Sequence, residues 1–305
     1  MRMTFTLWLI FSLIACIFTV PFAWETDLAW IEESAAFTFM AVAALMGWYE
    51  SHSRSLHGLY LKNNPAPGLV RAAVLIGTAW IAFTLFFFGS DRITFIWYFY
   101  YLIIGVGCIY LFGMMAMRSL GFDLRTLAYL RRNRGAALII SAFMLSTGLI
   151  YGGSVWGESE PESFEAFAGP FEVLPSYEEG GWIIALFFVL GWVILYAVMA
   201  IFFARHKDLK QRIIRGHDEK VAEAVAFYCL GCAIPITSAV AGDYHGLADS
   251  LTGFSALALP VLAGEIVRPI TSTSADESPQ SWLYLATGLA AAIFSPIASS
   301  LLGFR

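Results

Sequence analysis

Between positions 182 and 243 two apolar runs flank a short basic loop, and this pattern confines the segment to a helical hairpin in a bilayer. Each run is close to the roughly 20 residues that cross about 30 Å of hydrocarbon at a rise of 1.5 Å per residue. The loop between them, 205–220, is too short to fold as a domain.

The pattern recurs. The apolar run 103–116, then Asp123-Leu124-Arg125, then Arg131-Arg132-Asn133-Arg134-Gly135-Ala136-Ala137, then an apolar run ending in Ser146-Thr147-Gly148, follows the order of 188–204, Asp208-Leu209-Lys210, Arg215-Gly216-His217 and Thr237-Ser238. The displacement is about 82 to 85 residues through the basic motif and 91 at the Ser/Thr pair. A weaker copy precedes (35–49, Lys62-Asn63-Asn64-Pro65, 71–88) and a degenerate one follows (251–267, 276–280, 282–302). Internal periodicity of this kind decides architecture before any single motif does. The expected fold is all-α and polytopic, with about nine transmembrane helices. It comprises an N-terminal helix (1–30), a first unit of two hairpins (31–153), an acidic external loop (154–181) and a second unit of two hairpins (182–305).

Composition agrees with the class. Hydrophobic residues make up 59% of the chain and charged residues 13%, far below the roughly 25% charged of a soluble domain. The hairpin tips hold 15 of the 18 Lys and Arg, divided 3, 5, 6 and 1 along the chain, while the opposite loops collect Glu25, Asp27, Asp91, Asp243 and seven glutamates between 158 and 179. Short loops rich in Lys and Arg stay on the cytoplasmic side. The expected location is therefore the bacterial cytoplasmic membrane, with tips and N-terminus inside and C-terminus outside. The net charge of −5 conceals this separation. Topology accounts for the basic face, and nucleic acid is not an expected partner.

Arg2 and the apolar run 5–22 read as an uncleaved first helix, with a secretory signal and a lipoprotein site at Cys16 as alternatives. Trp97, Tyr98, Tyr100, Tyr101, Trp182 and Trp282 fall at span ends, where amphipathic rings favour the headgroup region.

Chemistry-bearing residues are sparse. None of the five histidines lies within a span, so neither paired haem ligands nor a di-iron cluster is expected. Cys229 and Cys232 share a helical face among apolar neighbours, away from the helix start that would stabilise a thiolate. Asn64-Pro65-Ala66 is similar to the water-channel signature, but in one copy and in a tip, where it serves as a helix start. No cofactor, metal or enzymatic constellation is expected. The remaining candidates for a pathway or gate are ionisable or kinked positions in spans: Glu265 with Arg268 three residues on, Glu223, Pro235 with Thr237 and Ser238, and Pro260. Candidates for partner or lipid contact are Arg131, Arg132, Arg134, Lys210, Arg212 and Arg215.

The run Ile214-Arg215-Gly216-His217 followed by Leu230-Gly231-Cys232-Ala233-Ile234-Pro235-Ile236-Thr237-Ser238-Ala239 resembles the uncharacterised YjfL family of bacterial inner-membrane proteins (domain of unknown function 350). Lys62-Asn63-Asn64 and Asn133-Arg134-Gly135-Ala136-Ala137 look like the same family element in other repeats, so the resemblance implies a tandem, two-unit form. Here Gly216-His217-Asp218-Glu219 replaces the family's asparagine run. The family has no established activity, and the resemblance implies only a membrane-stress or polyamine context.

Two functions are expected from this pattern. One is a channel or transporter for a small cation or polyamine along an axis shared by the hairpins, which run parallel to one another. The other is a non-transporting anchor whose basic tips recruit cytoplasmic stress-response proteins or anionic lipid. The bilayer and a second copy of the chain are the further expected partners.

Overall fold

The structure, a computed structural model, describes residues 38, 40–49, 64–89, 95–156, 181–241, 253–266 and 282–301. Among them the regular elements are all helical. They are α1 (Met40–Tyr49), α2 (Ala66–Phe88), α3 (Phe95–Ser119), a π-helical segment (Leu124–Leu130), α4 (Arg134–Ser154), α5 (Gly181–Arg205), α6 (Lys207–Gly216), α7 (Glu219–Ala239), α8 (Ala258–Ile266) and α9 (Trp282–Leu301). The helices α2, α3, α4, α5 and α7 are long and apolar enough to cross a bilayer. The expected N-terminal helix, and nearly all of the expected acidic loop, lie outside the described residues.

Local chemistry sets the helix ends. The α2 helix begins at Pro65-Ala66-Pro67, where fixed φ angles suit the first turn and absent N–H groups cost nothing. Asn64 Oδ1 accepts from Ala66 N at 3.1 Å. The α3 helix ends at Gly121 (φ 87°), with Phe122 N donating to Met117 O at 2.8 Å and Gly121 N to Arg118 O at 3.0 Å. These two bonds form a Schellman motif, which a glycine in the left-handed region makes at little cost.

The α4 and α7 helices form the interior. The α4 helix packs against α2, α3, α5 and α7, and α7 packs in turn against α9. The most apolar window of α4 is 83% buried and that of α5 only 28%, so α4 is central and α5 faces outward. The direction of packing is read from paired contacts. Asn64 meets Ala128 at one end, Gly77 meets Gly148 midway, and Phe88 stacks on Trp156 at 4.0 Å at the other end. Thus α2 and α4 run the same way. Arg134 beside Glu219 and Gly153 against Thr237 show that α7 runs with them.

Hydrocarbon offers no hydrophobic force to draw one helix to another, so close backbone contact and hydrogen bonds must hold the bundle. A Cβ placed on Gly148 would lie 3.1 Å from Gly77 Cα. At the α7–α9 crossing, Gly231 Cα faces Tyr284 O and Gly288 Cα faces Gly231 O. Pro235, inside α7, has no N–H to donate to Gly231 O one turn back. That carbonyl instead abuts Gly288, the arrangement of a Cα–H···O contact.

Because a side chain at 288 would meet backbone rather than a flexible tip, Gly288→Val should destabilise the protein by about 1–3 kcal/mol or more. Thermal unfolding in detergent measures this, and a Gly288→Val protein as stable as wild type would refute the close-contact account of the crossing.

Candidate functional site

The segments that precede α2, α4 and α7 meet at one end of the bundle, which makes this basic layer the candidate site. Two of the tips share a design at a fixed displacement. The helices α4 and α7 both span 21 residues, and their first residues are separated by 219 − 134 = 85 positions, as are their last (239 − 154). Ahead of each is a non-glycine residue in the left-handed region, Arg132 at φ 52° and His217 at φ 54°. Next comes the cap: Asn133 accepts from Ala136 N at 2.9 Å and Asp218 from Val221 N at 3.1 Å. The cap N–H groups return to Leu127 O and Arg212 O, also 85 apart. This register sets Thr237 opposite Gly152 and Gly231 opposite Ser146, so Thr237-Ser238 does not align with Ser146-Thr147 as the sequence pattern had it.

Asparagine side chains join one tip to the next. Asn133 is fully buried, and its Nδ2 donates to Ile213 O at 2.7 Å and Ile214 O at 3.4 Å. Asn64 Nδ2 donates to Ala128 O at 3.4 Å. The acceptors Ala128 and Ile213 are again 85 positions apart. The same amide thus caps its own helix with its oxygen and holds the following tip with its nitrogen. At the third such position Asp218 has a carboxylate, which cannot donate to a carbonyl. It takes Arg212 as partner, with Nη2 at 2.6 Å and Nε at 3.1 Å. Burial alone would raise the Asp218 carboxyl, but hydrogen bonds from Val221 N and Arg212, and the charge of Arg212, leave it below its ordinary value.

The basic residues divide by surroundings. Arg131, Arg132 and Arg215 are exposed. Arg134 pairs with Glu219 at 3.3 Å, both side chains half exposed, a geometry worth little in water. Lys210 is half-buried, with its ammonium against the Gly121 turn, where the C-terminal end of α3 favours a cation.

Among the described residues, the pathway candidates on α7 lie apart. Pro235 is buried, and Thr237 Oγ1 donates to Ala233 O at 2.8 Å within its own helix. Ser238 is half-buried, Pro260 is buried, and Glu223 is exposed. Glu223 stands 12 residues, about 18 Å along the axis, from Pro235. For Glu265 the structure describes the helical backbone alone, and Arg268 lies outside the described residues. Cys229 and Cys232 are buried free thiols, with Ser146 Oγ 3.6 Å from Cys229 Sγ. Among the described residues no group of three or more His, Cys, Asp or Glu is placed to hold a metal ion.

No family model, no curated protein and no solved structure matches this chain.

Asn133→Ala should cost about 2–4 kcal/mol, combining a lost cap with the loss of a donor to a buried carbonyl; a loss under 1 kcal/mol in thermal unfolding would show that the tips are held otherwise. For Asp218 the folded carboxyl lies below its unfolded value, so its contribution is complete above about pH 4 and disappears as the pH falls through the folded value. The stability difference between wild type and Asp218→Asn should therefore be flat from neutral pH to about pH 5 and shrink only below that. A difference that shrinks already between pH 7 and 5 would contradict this assignment.

Proposed function

We propose that the chain is a nine-span protein of the bacterial cytoplasmic membrane, built from an N-terminal helix and four parallel hairpins, that acts as a non-transporting scaffold. Its tips face the cytoplasm in this reading, because short loops this rich in Lys and Arg are retained there. The observation that carries the proposal is the tip layer. The buried Asn133 and the half-buried Asn64 link neighbouring tips, and exposed arginines stand on that base. Beneath it, α2 and α4 meet at backbone distance, as do α7 and α9. A rigid charged platform on a closely packed bundle suits recruitment better than conduction.

The tandem match of α4 and α7 supports reading the hairpins as copies of one module. The resemblance to the YjfL-like inner-membrane family is part of the same proposal, and points to stress-response proteins as the cytoplasmic partners. Replacing Arg131, Arg132, Lys210 and Arg215 with Gln should abolish co-purification of those partners from crosslinked cells while membrane insertion is kept. Unchanged partners would eliminate recruitment as the function.

A second reading is a pathway for a small cation or polyamine, past Glu265 and Arg268 and the kinks at Pro235 and Pro260. It draws on the hydroxyls of Ser141, Ser146, Thr147 and Ser154, which form a buried polar series along α4. Thr147 and Ser154 donate to carbonyls of their own helix, which leaves them little to offer a solute. Flux of K+, protons or spermidine into proteoliposomes above the empty-liposome background would favour this pathway over the scaffold.

A further inference from the structure

The junction of the two tips combines features that the recruitment of soluble partners does not require. Leu130 ends the π-helical segment with 63% of its surface exposed. The exposed Arg131 and Arg132 follow it directly. The amide of Asn133 reaches Ile214 O at 3.4 Å, which brings this tip to the backbone immediately before Arg215. Arg132 is in the left-handed region at φ 52°, where glycine is the residue of least cost and arginine is strained. The equivalent His217 takes the same conformation at φ 54°, so the backbone here belongs to the tip design and would accept glycine.

We propose that this junction binds the phosphate of an anionic lipid headgroup in the leaflet around the tips, between Arg131 and Arg132 of one tip and Arg215 of the next, with Leu130 directed to the acyl boundary. The proposal rests on the reading of the tips as the cytoplasmic face of a membrane protein and names their ligand. Position decides for a lipid over a soluble partner. Leu130 is four residues ahead of Arg134, the first residue of a spanning helix, so it lies at headgroup depth. An exposed leucine is unfavourable in water but favourable at that depth, and arginine beside it matches a phosphate in charge and hydrogen-bonding geometry. Arg134 and Arg212 are engaged with Glu219 and Asp218, whereas Arg131, Arg132 and Arg215 are exposed on either side of the junction.

The test uses the full-length protein in nanodiscs of mixed phosphatidylglycerol and phosphatidylcholine, with bound lipid counted by native mass spectrometry. Wild type should retain phosphatidylglycerol preferentially, and each arginine removed at 131, 132 or 215 should lower that retention about fivefold. Leu130→Ser should lower retention of both lipids. Arg132→Gly is the decisive variant: glycine suits the local backbone, so thermal stability should hold or rise while phosphatidylglycerol is lost. Equal retention of the two lipids by wild type, or full retention by Arg132→Gly, would overturn the site. Displacement of phosphatidylglycerol by equimolar inorganic phosphate would overturn the lipid assignment in favour of a free anion. A wild type that prefers phosphatidylglycerol but captures no cytoplasmic protein would sink only the recruitment function; the converse would sink only the lipid site.

Discussion

The side-chain amide of Asn133 is the contact on which the tip layer depends. In a bilayer no solvent penalty pushes helix against helix, and a buried polar group without a partner is costly. Asn133 turns that cost into geometry. Its oxygen fixes where α4 begins, and its nitrogen fixes the neighbouring tip through the carbonyls of Ile213 and Ile214. With α2, α4 and α7 running the same way, such links stack three helix starts side by side. Asn64 makes the equivalent link one hairpin earlier, at a longer distance and in a less buried setting.

The replacement of asparagine by Asp218 at the third position changes the character of the tip. Its carboxylate keeps the capping bond to Val221 but turns to Arg212 within its own hairpin. The link between neighbours becomes a tie within one tip. The next helix in the row, α9, is joined to α7 by backbone contact deep in the span, where the Pro235-freed carbonyl of Gly231 meets Gly288. One chain therefore uses two modes of helix association, amide links at the tips and glycine contact at depth.

Much of this was legible in the sequence, for physical reasons that can be named. Apolar runs of bilayer length reveal helices long and apolar enough to cross a bilayer, because that property depends on composition and length alone. The helix start at Asn64-Pro65 is visible because such starts need particular side chains, and the same requirement accounts for Asn133 and Asp218 at the starts of α4 and α7. The order of packing was not visible. The α5 helix is apolar on every side, so periodicity cannot say which face meets α4. The acceptors of the asparagine links are backbone carbonyls of Ala128 and Ile213, which leave no mark in residue identity. The π-helical winding of 124–130 likewise has no signature, and the sequence misread the register around Thr237 because a short Ser/Thr match outweighed the cap positions. Of the ionisable candidates chosen for their cost in hydrocarbon, Glu223 emerged on an exposed face, far along α7 from Pro235.

The Asn133 link has a consequence for biosynthesis. Its main acceptor, Ile213, lies 80 residues further along the chain. At about 5–20 residues per second, the ribosome delivers that carbonyl roughly 4–16 seconds after the amide. For that interval the amide must bond to water or to a passing partner, so the junction between the two tips is completed only after the second has been made.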